Sequence, residues 1–421
     1  MTNQIRQVLK LSTAGSVDDG KSTLIGRILY DTHSLTEDKI KAIEKTSRTR
    51  GYDYFDFSLA TDGLSAEREQ GITIDVAHIY FSTPKRSYII ADTPGHIEYT
   101  RNMITGASNA DISIILIDAR NGVVEQTRRH FFISNLLQIP QVIVAVNKMD
   151  LIDYDQGVYQ KIIDDFELLR QNGKNKNQKI HYIPISALHG ENITGKSEKM
   201  PYYQGYPLLD YLENTDREDT LDERPARFQV QTVIRPGTEA FHDFRAYAGK
   251  LKSGNLSVGD QILVLPSKKE STIKEIRFFD QCYQRADAGS SISLRLKDDL
   301  QISRGDLIIK KEESIKESKS INAVLCWMDE NTLKTASVYL LQFGVKRIKT
   351  KVKKIDYRLN INEQGSKQPA VELKMNDLGS VELQFAQYLY YDSYRENRAN
   401  GAFILIDPNT NSTAAVGFIE E

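Results

Sequence analysis

Residues 15–22 read Gly-Ser-Val-Asp-Asp-Gly-Lys-Ser and lie between a short apolar segment at Val8–Leu11 and a helix-patterned run at Thr23–Tyr30. A Gly-x-x-x-x-Gly-Lys-Ser spacing between strand and helix restricts the N-terminal part of the chain to a phosphate-binding fold. The two glycines let the backbone curl, so that successive N–H groups face one anion. The positive end of the following helix adds its dipole at the same place. Gly15, Ser16, Val17, Asp18, Asp19, Gly20, Lys21, Ser22 and Thr23 are therefore the expected triphosphate cradle. Lys21 reaches the β and γ phosphates and counts among the catalytic groups, while the Ser22 hydroxyl is a ligand for Mg²⁺.

The same pattern recurs at Gly190-Glu-Asn-Ile-Thr-Gly195-Lys196-Ser197. Pro201, Gly205 and Pro207 follow closely, so no helix is expected behind it to carry the dipole. This second match is read as an exposed loop.

Hydrolysis of a triphosphate needs a carboxylate near the metal and a backbone donor for the γ phosphate. Tyr88-Ile-Ile-Ala-Asp92-Thr-Pro-Gly95 has the form of that element: the strand delivers Asp92 to its end, where it holds the metal's water shell, and Gly95 lets its own N–H approach the phosphate. His96 follows directly, placed to orient the attacking water. Between the two elements, Glu67-Arg-Glu-Gln-Gly71-Ile-Thr73-Ile-Asp75 offers Thr73 as a hydroxyl that completes the Mg²⁺ shell only when the γ phosphate is present.

Base identity is expected after the apolar strand Val142–Val146, which ends in Asn147-Lys148-Met149-Asp150. The Asp150 carboxylate can accept from both N1–H and the N2 amine of guanine, a donor pair that adenine lacks. A buried acceptor left unpaired by the wrong base discriminates by up to about 10⁴. Lys148 packs its stem along the base in this reading. Downstream, Tyr182-Ile-Pro-Ile-Ser186-Ala187-Leu188 is a strand followed by a small-residue turn suited to presenting the Ala187 N–H to the guanine O6. GTP, with Mg²⁺, is the expected nucleotide.

These residues resemble the translation-factor superfamily of GTPases, with Asp92-Thr-Pro-Gly-His96 followed by Tyr99-Thr-Arg-Asn-Met-Ile-Thr-Gly106-Ala. Within it, the chain is similar to the large GTPase subunits of bacterial two-component ATP sulfurylases. Gly15–Ser22, Leu59–Val76 and Tyr394-Arg-Glu-Asn-Arg398 through Asp407 carry that likeness. Elongation factors have histidines where this chain has Ser16 and Asp19, which speaks against tRNA delivery, the competing reading. The resemblance implies that Thr73 ligates Mg²⁺, that His96 positions water, and that Val17 and Ile72 form an apolar gate beside that histidine. It also implies a smaller, ATP-binding adenylyltransferase partner in a heterodimer or higher heteromer, with this chain coupling GTP hydrolysis to the making of adenosine 5′-phosphosulfate from ATP and sulfate. A Ser-Gly-Gly-x-Asp-Ser loop for a second ATP site is not found in the sequence.

A chain of 421 residues is too long for one ordinary core. Up to about residue 215, strand-like runs alternate with helix-like ones, which predicts an α/β P-loop GTPase domain with a mostly parallel sheet and helices on both faces. A polar segment at 216–226 reads as the linker. Beyond it, short alternating segments punctuated by Ser253-Gly254 and Gly259-Asp260 predict two all-β barrel domains, at 227–316 and 317–421.

With 55 basic against 57 acidic residues, net charge −2, nothing pulls the chain globally toward nucleic acid. Cys282 and Cys326 have no metal-ligand spacing and read as reduced structural thiols. The N-terminus lacks a cationic and apolar leader, and Ile112–Ile117 is too short to span a bilayer, so a cytoplasmic protein with no membrane or nucleic-acid partner is expected. One charge run, Lys346-Arg-Ile-Lys-Thr-Lys-Val-Lys-Lys354, reads as a barrel strand with a solvated basic face. Its apolar positions shift phase after Val352, which predicts a bulge near Lys353–Lys354.

Overall fold

In a computed structural model of the chain, the described residues are 8–49, 51–52, 54–61, 76–94, 99–171, 175, 177–216, 220–235, 244–360 and 366–420. They fall into two compact units that divide near residue 218.

The first unit is built on a six-stranded sheet: β1 (Val8–Ala14), β2 (Ala77–Ser82), β3 (Ser87–Asp92), β4 (Ile112–Asp118), β5 (Gln141–Asn147) and β6 (Lys179–Pro184), in the order β2-β3-β1-β4-β5-β6. All pairs are parallel except β2 with β3, a hairpin that places one antiparallel strand on the edge. Every residue of β4 and of β5 is buried, as helix-covered parallel strands require. Successive side chains of β4 enter opposite layers. Ile114 and Leu116 pack with Leu24, Ile25 and Ile28 of helix α1 (Lys21–Asp31). Ile115 and Ile117 pack with Phe131 and Phe166, carried by Glu125–Leu136 and Gln156–Gln171. Parallel strands of one length end together, so β1, β3, β4 and β5 bring their C-terminal residues to a common edge.

A helix at Glu37–Thr49 was not expected, because only Ile43 and Ser47 of its 13 residues are buried and no apolar stripe marks it. No helix among the described residues is long and apolar enough to cross a membrane.

The second unit contains two antiparallel barrels. In the first, Gln261–Leu265, Leu307–Lys310, Arg227–Ile234, Ala246–Ser253, Ser291–Leu296 and Lys269–Phe278 form a ring of six strands that closes back on Gln261–Leu265. In the second, Val338–Phe343, Ala402–Ile406, Thr413–Ile419, Lys316–Trp327, Leu378–Tyr391 and Lys346–Asn360 close in the same way. Closure removes the exposed edges that open sheets carry. The alternating segment Ala370–Lys374, which reads as a strand in the sequence, forms only the short strand Glu372–Leu373. The bulge lies where the phase shift put it, between Val352 and Lys354. Cys326 sits in the second barrel's core, where burial pushes its thiol up to about 12. Cys282 departs from the structural reading, since it lies exposed on a hairpin with its thiol donating to Glu275.

The two barrels share a buried ion cluster. Arg227 is fully buried and donates to both carboxylate oxygens of Asp392 at 2.9 and 2.8 Å, to Glu313 at 3.2 Å and to the Ser314 carbonyl. Asp392 also accepts from Asn397 and Asn400. Removing Asp392 leaves the buried guanidinium with Glu313 as its one carboxylate among the described residues, and takes an acceptor from the Asn397 and Asn400 amides. Asp392→Ala should therefore cost about 3 kcal/mol in denaturant unfolding of the full chain, whereas Arg227→Met combined with Asp392→Leu and Glu313→Gln, which removes all three charges, should recover part of that loss.

Candidate functional site

The loop after β1 turns with Asp18 at φ 69° and Gly20 at φ 89°, and Gly20 caps the N-terminus of α1. A Cβ on Gly20 would overlap the Asn147 side-chain amide, so the left-handed backbone and the crowding both demand glycine there. Lys21 is buried under this turn, with its ammonium 3.1 Å from Asp92 Oδ1 and donating to the Thr93 carbonyl. Thr13, near the end of β1, donates its hydroxyl to the same Asp92 oxygen at 2.9 Å, and Thr93 returns a hydroxyl bond to the Thr13 carbonyl. The ends of β1 and β3 are thus locked by side chains as well as by the sheet. Ser22 and Thr23 stand half-buried in the first turn of α1, and Val17 is exposed at the loop's tip.

Asn147, the last residue of β5, spans two loops. Its Nδ2 donates to the Asp19 carbonyl at 2.8 Å and its Oδ1 accepts from the Ala187 N–H at 3.0 Å. Lys148 follows with φ 62°, donating to the Asp18 carbonyl and lying 3.0 Å from Asp118. Asp150 accepts a 2.6 Å bond from the Ser186 hydroxyl, which also receives the His189 N–H. The Leu188 carbonyl is held by Arg27 of α1. Cradle, β5 end and the 186–188 turn are therefore one hydrogen-bonded assembly. Of the sequence-derived candidates, Thr73, Gly95 and His96, together with Ile72, lie outside the described residues.

Sequence reasoning missed Asp118 and Arg120. Asp118 ends β4, fully buried, and Arg120 grips its two oxygens at 3.0 and 2.6 Å. Burial alone would raise its carboxyl, but hydrogen bonds from Arg120 and Lys148 hold it down at about 2. It anchors the Lys148 ammonium from below. Its position at the end of an apolar strand was the available signal. The second loop match, Gly190–Ser197, has no helix behind it, as expected. It is not wholly exposed, however: Asn192 and Ile193 are buried, and the Asn192 amide bonds the Pro184 carbonyl.

The donor set suits a nucleoside triphosphate. A glycine-dependent turn curls at a helix N-terminus, beside a buried lysine, the Ser22 hydroxyl in the helix's first turn and a strand-end carboxylate. The model of the elongation factor Tu GTP binding domain matches residues 6–223, and that of the GTP-eEF1A C-terminal domain-like family matches 320–420. Sulfate adenylyltransferase subunit 1 of Aeromonas hydrophila is 46% identical over 99% of this chain and 87% of its own length. The Francisella tularensis subsp. novicida protein of that name is 47% identical over the same shares. The chain belongs to the sulfate adenylyltransferase subunit 1 family. A bifunctional enzyme CysN/CysC of Mycobacterium tuberculosis is 46% identical over 98% of the chain and 67% of that longer protein.

In this member of the family, Asp19 is a buried carboxylate inside the cradle, accepting from the Ser16 N–H at 2.5 Å. Burial raises its pKa to about 6, opposed by the Ser16 bond and reinforced by Asp118. An unfolded aspartate titrates near 3.9, so between about pH 4 and 6 the native state holds the extra proton, and stability falls as pH rises through that window. Asp19→Asn should therefore melt higher than the parent at pH 7.5, and the advantage should shrink as pH falls below 6 toward 4. Thermal melts of the nucleotide-free chain across that range test this.

Proposed function

We propose that this chain is the GTPase subunit of a sulfate adenylyltransferase. It couples GTP hydrolysis to the formation of adenosine 5′-phosphosulfate and pyrophosphate from ATP and sulfate by a smaller, ATP-binding adenylyltransferase subunit. The likeness to subunit 1 relatives over 99% of the chain carries this reading. The convergence of the Gly15–Ser22 loop, Asp92, Asn147 and Asp150 on one sheet edge supports it. A phosphate–sulfate anhydride is costly to make, so a second, energy-yielding hydrolysis has a chemical purpose. The division into 1–215, 216–226, 227–316 and 317–421 belongs to the same reading and is supported by barrel strands that begin at Arg227 and Lys316.

In this reading the Gly15–Ser22 amides and Lys21 bind the phosphates, and the Asp150 carboxylate reads the guanine edge. The Ala187 N–H, which donates to Asn147 Oδ1, would share or exchange that bond to reach O6. Ser22 and Thr73 would hold Mg²⁺, with Asp92 on its water shell, and the ion supplies neutralisation of the phosphate charge. His96 orients the attacking water. The protein is cytoplasmic in this account, as sulfate activation in a bacterial cell requires ATP and GTP at hand.

Asp150→Asn should shift preference from guanosine toward xanthosine triphosphate, and competition binding with the two nucleotides reads this directly. Retained GTP selectivity would remove Asp150 from base reading. His96→Ala should bind GTP like the parent but turn it over at least about a hundredfold more slowly, the usual scale for losing a group that prepares a nucleophile. The reading as a whole is tested by GTP turnover. The smaller sulfurylase subunit with ATP and sulfate should accelerate it, and ribosomes should not; the reverse result would make the chain a translation factor.

A further inference from the structure

The strand Lys346–Asn360 of the second barrel alternates strictly over its first half. Ile348, Thr350 and Val352 point inward and are buried, while Arg347, Lys349, Lys351 and Lys353 point outward and are exposed. Alternate residues of a strand lie about 6.8 Å apart, so four cations form a row about 20 Å long on one barrel face.

Elsewhere the same unit pairs some of its exposed lysines, while others, such as Lys250, Lys274 and Lys297, have no carboxylate partner among the described residues. Lys311 is 2.7 Å from Glu270, Lys268 is 3.0 Å from Glu317, and Lys316 is 3.3 Å from Glu396. Lys353 is compensated too, by Glu382 at 2.7 Å. Arg347, Lys349 and Lys351 are also without a carboxylate partner, and they stand in succession on one face of one strand. Among the described residues no carboxylate pairs with them, and Arg347 donates only to the neutral Gln342. Their cross-strand neighbours are the positions where the fold would place acids at no structural cost. On one side these are Gln342, Leu340 and Val338, and opposite Lys351 on the other side stands Gln384. Val338 is itself 39% exposed beside Lys351.

We propose that this face is a docking surface for an acidic segment of a partner protein, namely the smaller subunit of the heteromer. It rests on the heteromeric reading given above. Charge complementarity selects an acidic occupant, and the aliphatic strip of Val338 and Leu340 along the cations selects a protein over nucleic acid. Single-stranded nucleic acid is held by aromatic platforms between the cations, and the residues paired with the row, Gln342, Leu340, Val338 and Gln384, are aliphatic or amide. The chain's net charge of −2 gives no broader basic field to assist a polynucleotide.

The test titrates the full chain with its own smaller subunit at low and at physiological salt, using the parent, Lys349→Glu with Lys351→Glu, and Arg347→Glu. A control carries Lys41→Glu with Lys45→Glu on the exposed helix of the first unit. The strand variants should bind about tenfold or more weakly at low salt and lose most of the salt dependence, chiefly through association rate, with unchanged circular dichroism and unchanged GTP turnover of the isolated chain. The control should match the parent. Parental affinity in the strand variants overturns the surface and leaves the heteromer standing. Failure of the parent to bind the smaller subunit removes the heteromer reading and this occupant with it. Binding of a single-stranded oligonucleotide by the parent, lost in the double variant, would assign the face to nucleic acid and overturn the proposal.

Discussion

The Asn147 carboxamide is the contact on which the nucleotide-binding half of the molecule turns. It is a buried polar group with one donor arm and one acceptor arm in use, bonding the Asp19 carbonyl on one side and the Ala187 N–H on the other. Two loops more than a hundred residues of chain apart in origin therefore take their spacing from one planar side chain. Burying either partner group without it would cost about 1–3 kcal/mol per unsatisfied atom, so the loops cannot drift apart cheaply. The crowding at Gly20 expresses the same constraint from the opposite direction, since the amide occupies the space any side chain there would need.

Around that bridge, charge is arranged in pairs of opposite sign at strand ends. Lys21 faces Asp92 across the ends of β1 and β3, and Lys148 with Arg120 faces Asp118 at the end of β4. Asp19 is the exception: a carboxylate taken from water whose burial, reinforced by the Asp118 carboxylate, outweighs the Ser16 N–H bond and the Lys148 charge. Its raised pKa is the cost of placing an acid where a cradle for anions must also form. A phosphate-binding loop gains nothing electrostatically from such a residue, so its contribution is geometric: it closes the Ser16 amide from within.

Much of this was legible in the chain because each motif sits at the end of an apolar run, and parallel strands of similar length collect their ends. Gly15–Ser22, Asp92 and Asn147–Asp150 could be placed on one edge from the strand-end pattern, and the small-residue turn at Ser186–Leu188 followed. Thr13 was not legible, since its role depends on Asp92, which only the sheet order brings near, and Asp118 with Arg120 showed only a strand-end position. The edge strand Ala77–Ser82 was hidden by its exposure pattern, which leaves only Phe81 buried. In the barrels, Leu378–Tyr391 was obscured by Gly379 and by the polar run Gln384–Tyr388, of which only Phe385 is buried. That glycine is needed where a Cβ would meet Leu373 and the Tyr357 carbonyl.

The barrels show two uses of one residue type. Arg227 is wrapped by Asp392, Glu313 and the Ser314 carbonyl, so its charge is spent entirely inside the protein and fixes how two barrel ends meet. Along Lys346–Lys354 the cations face water, and acids stop where the bulge begins, at Glu382 and Asp356. The bulge changes which residues point outward, and it is at that change of phase that compensation appears. Each pair beyond the change of phase sums to zero, whereas three successive outward cations before it leave an uncancelled positive charge on one face. The division separates a segment whose charges are balanced at home from one whose balance lies outside the chain.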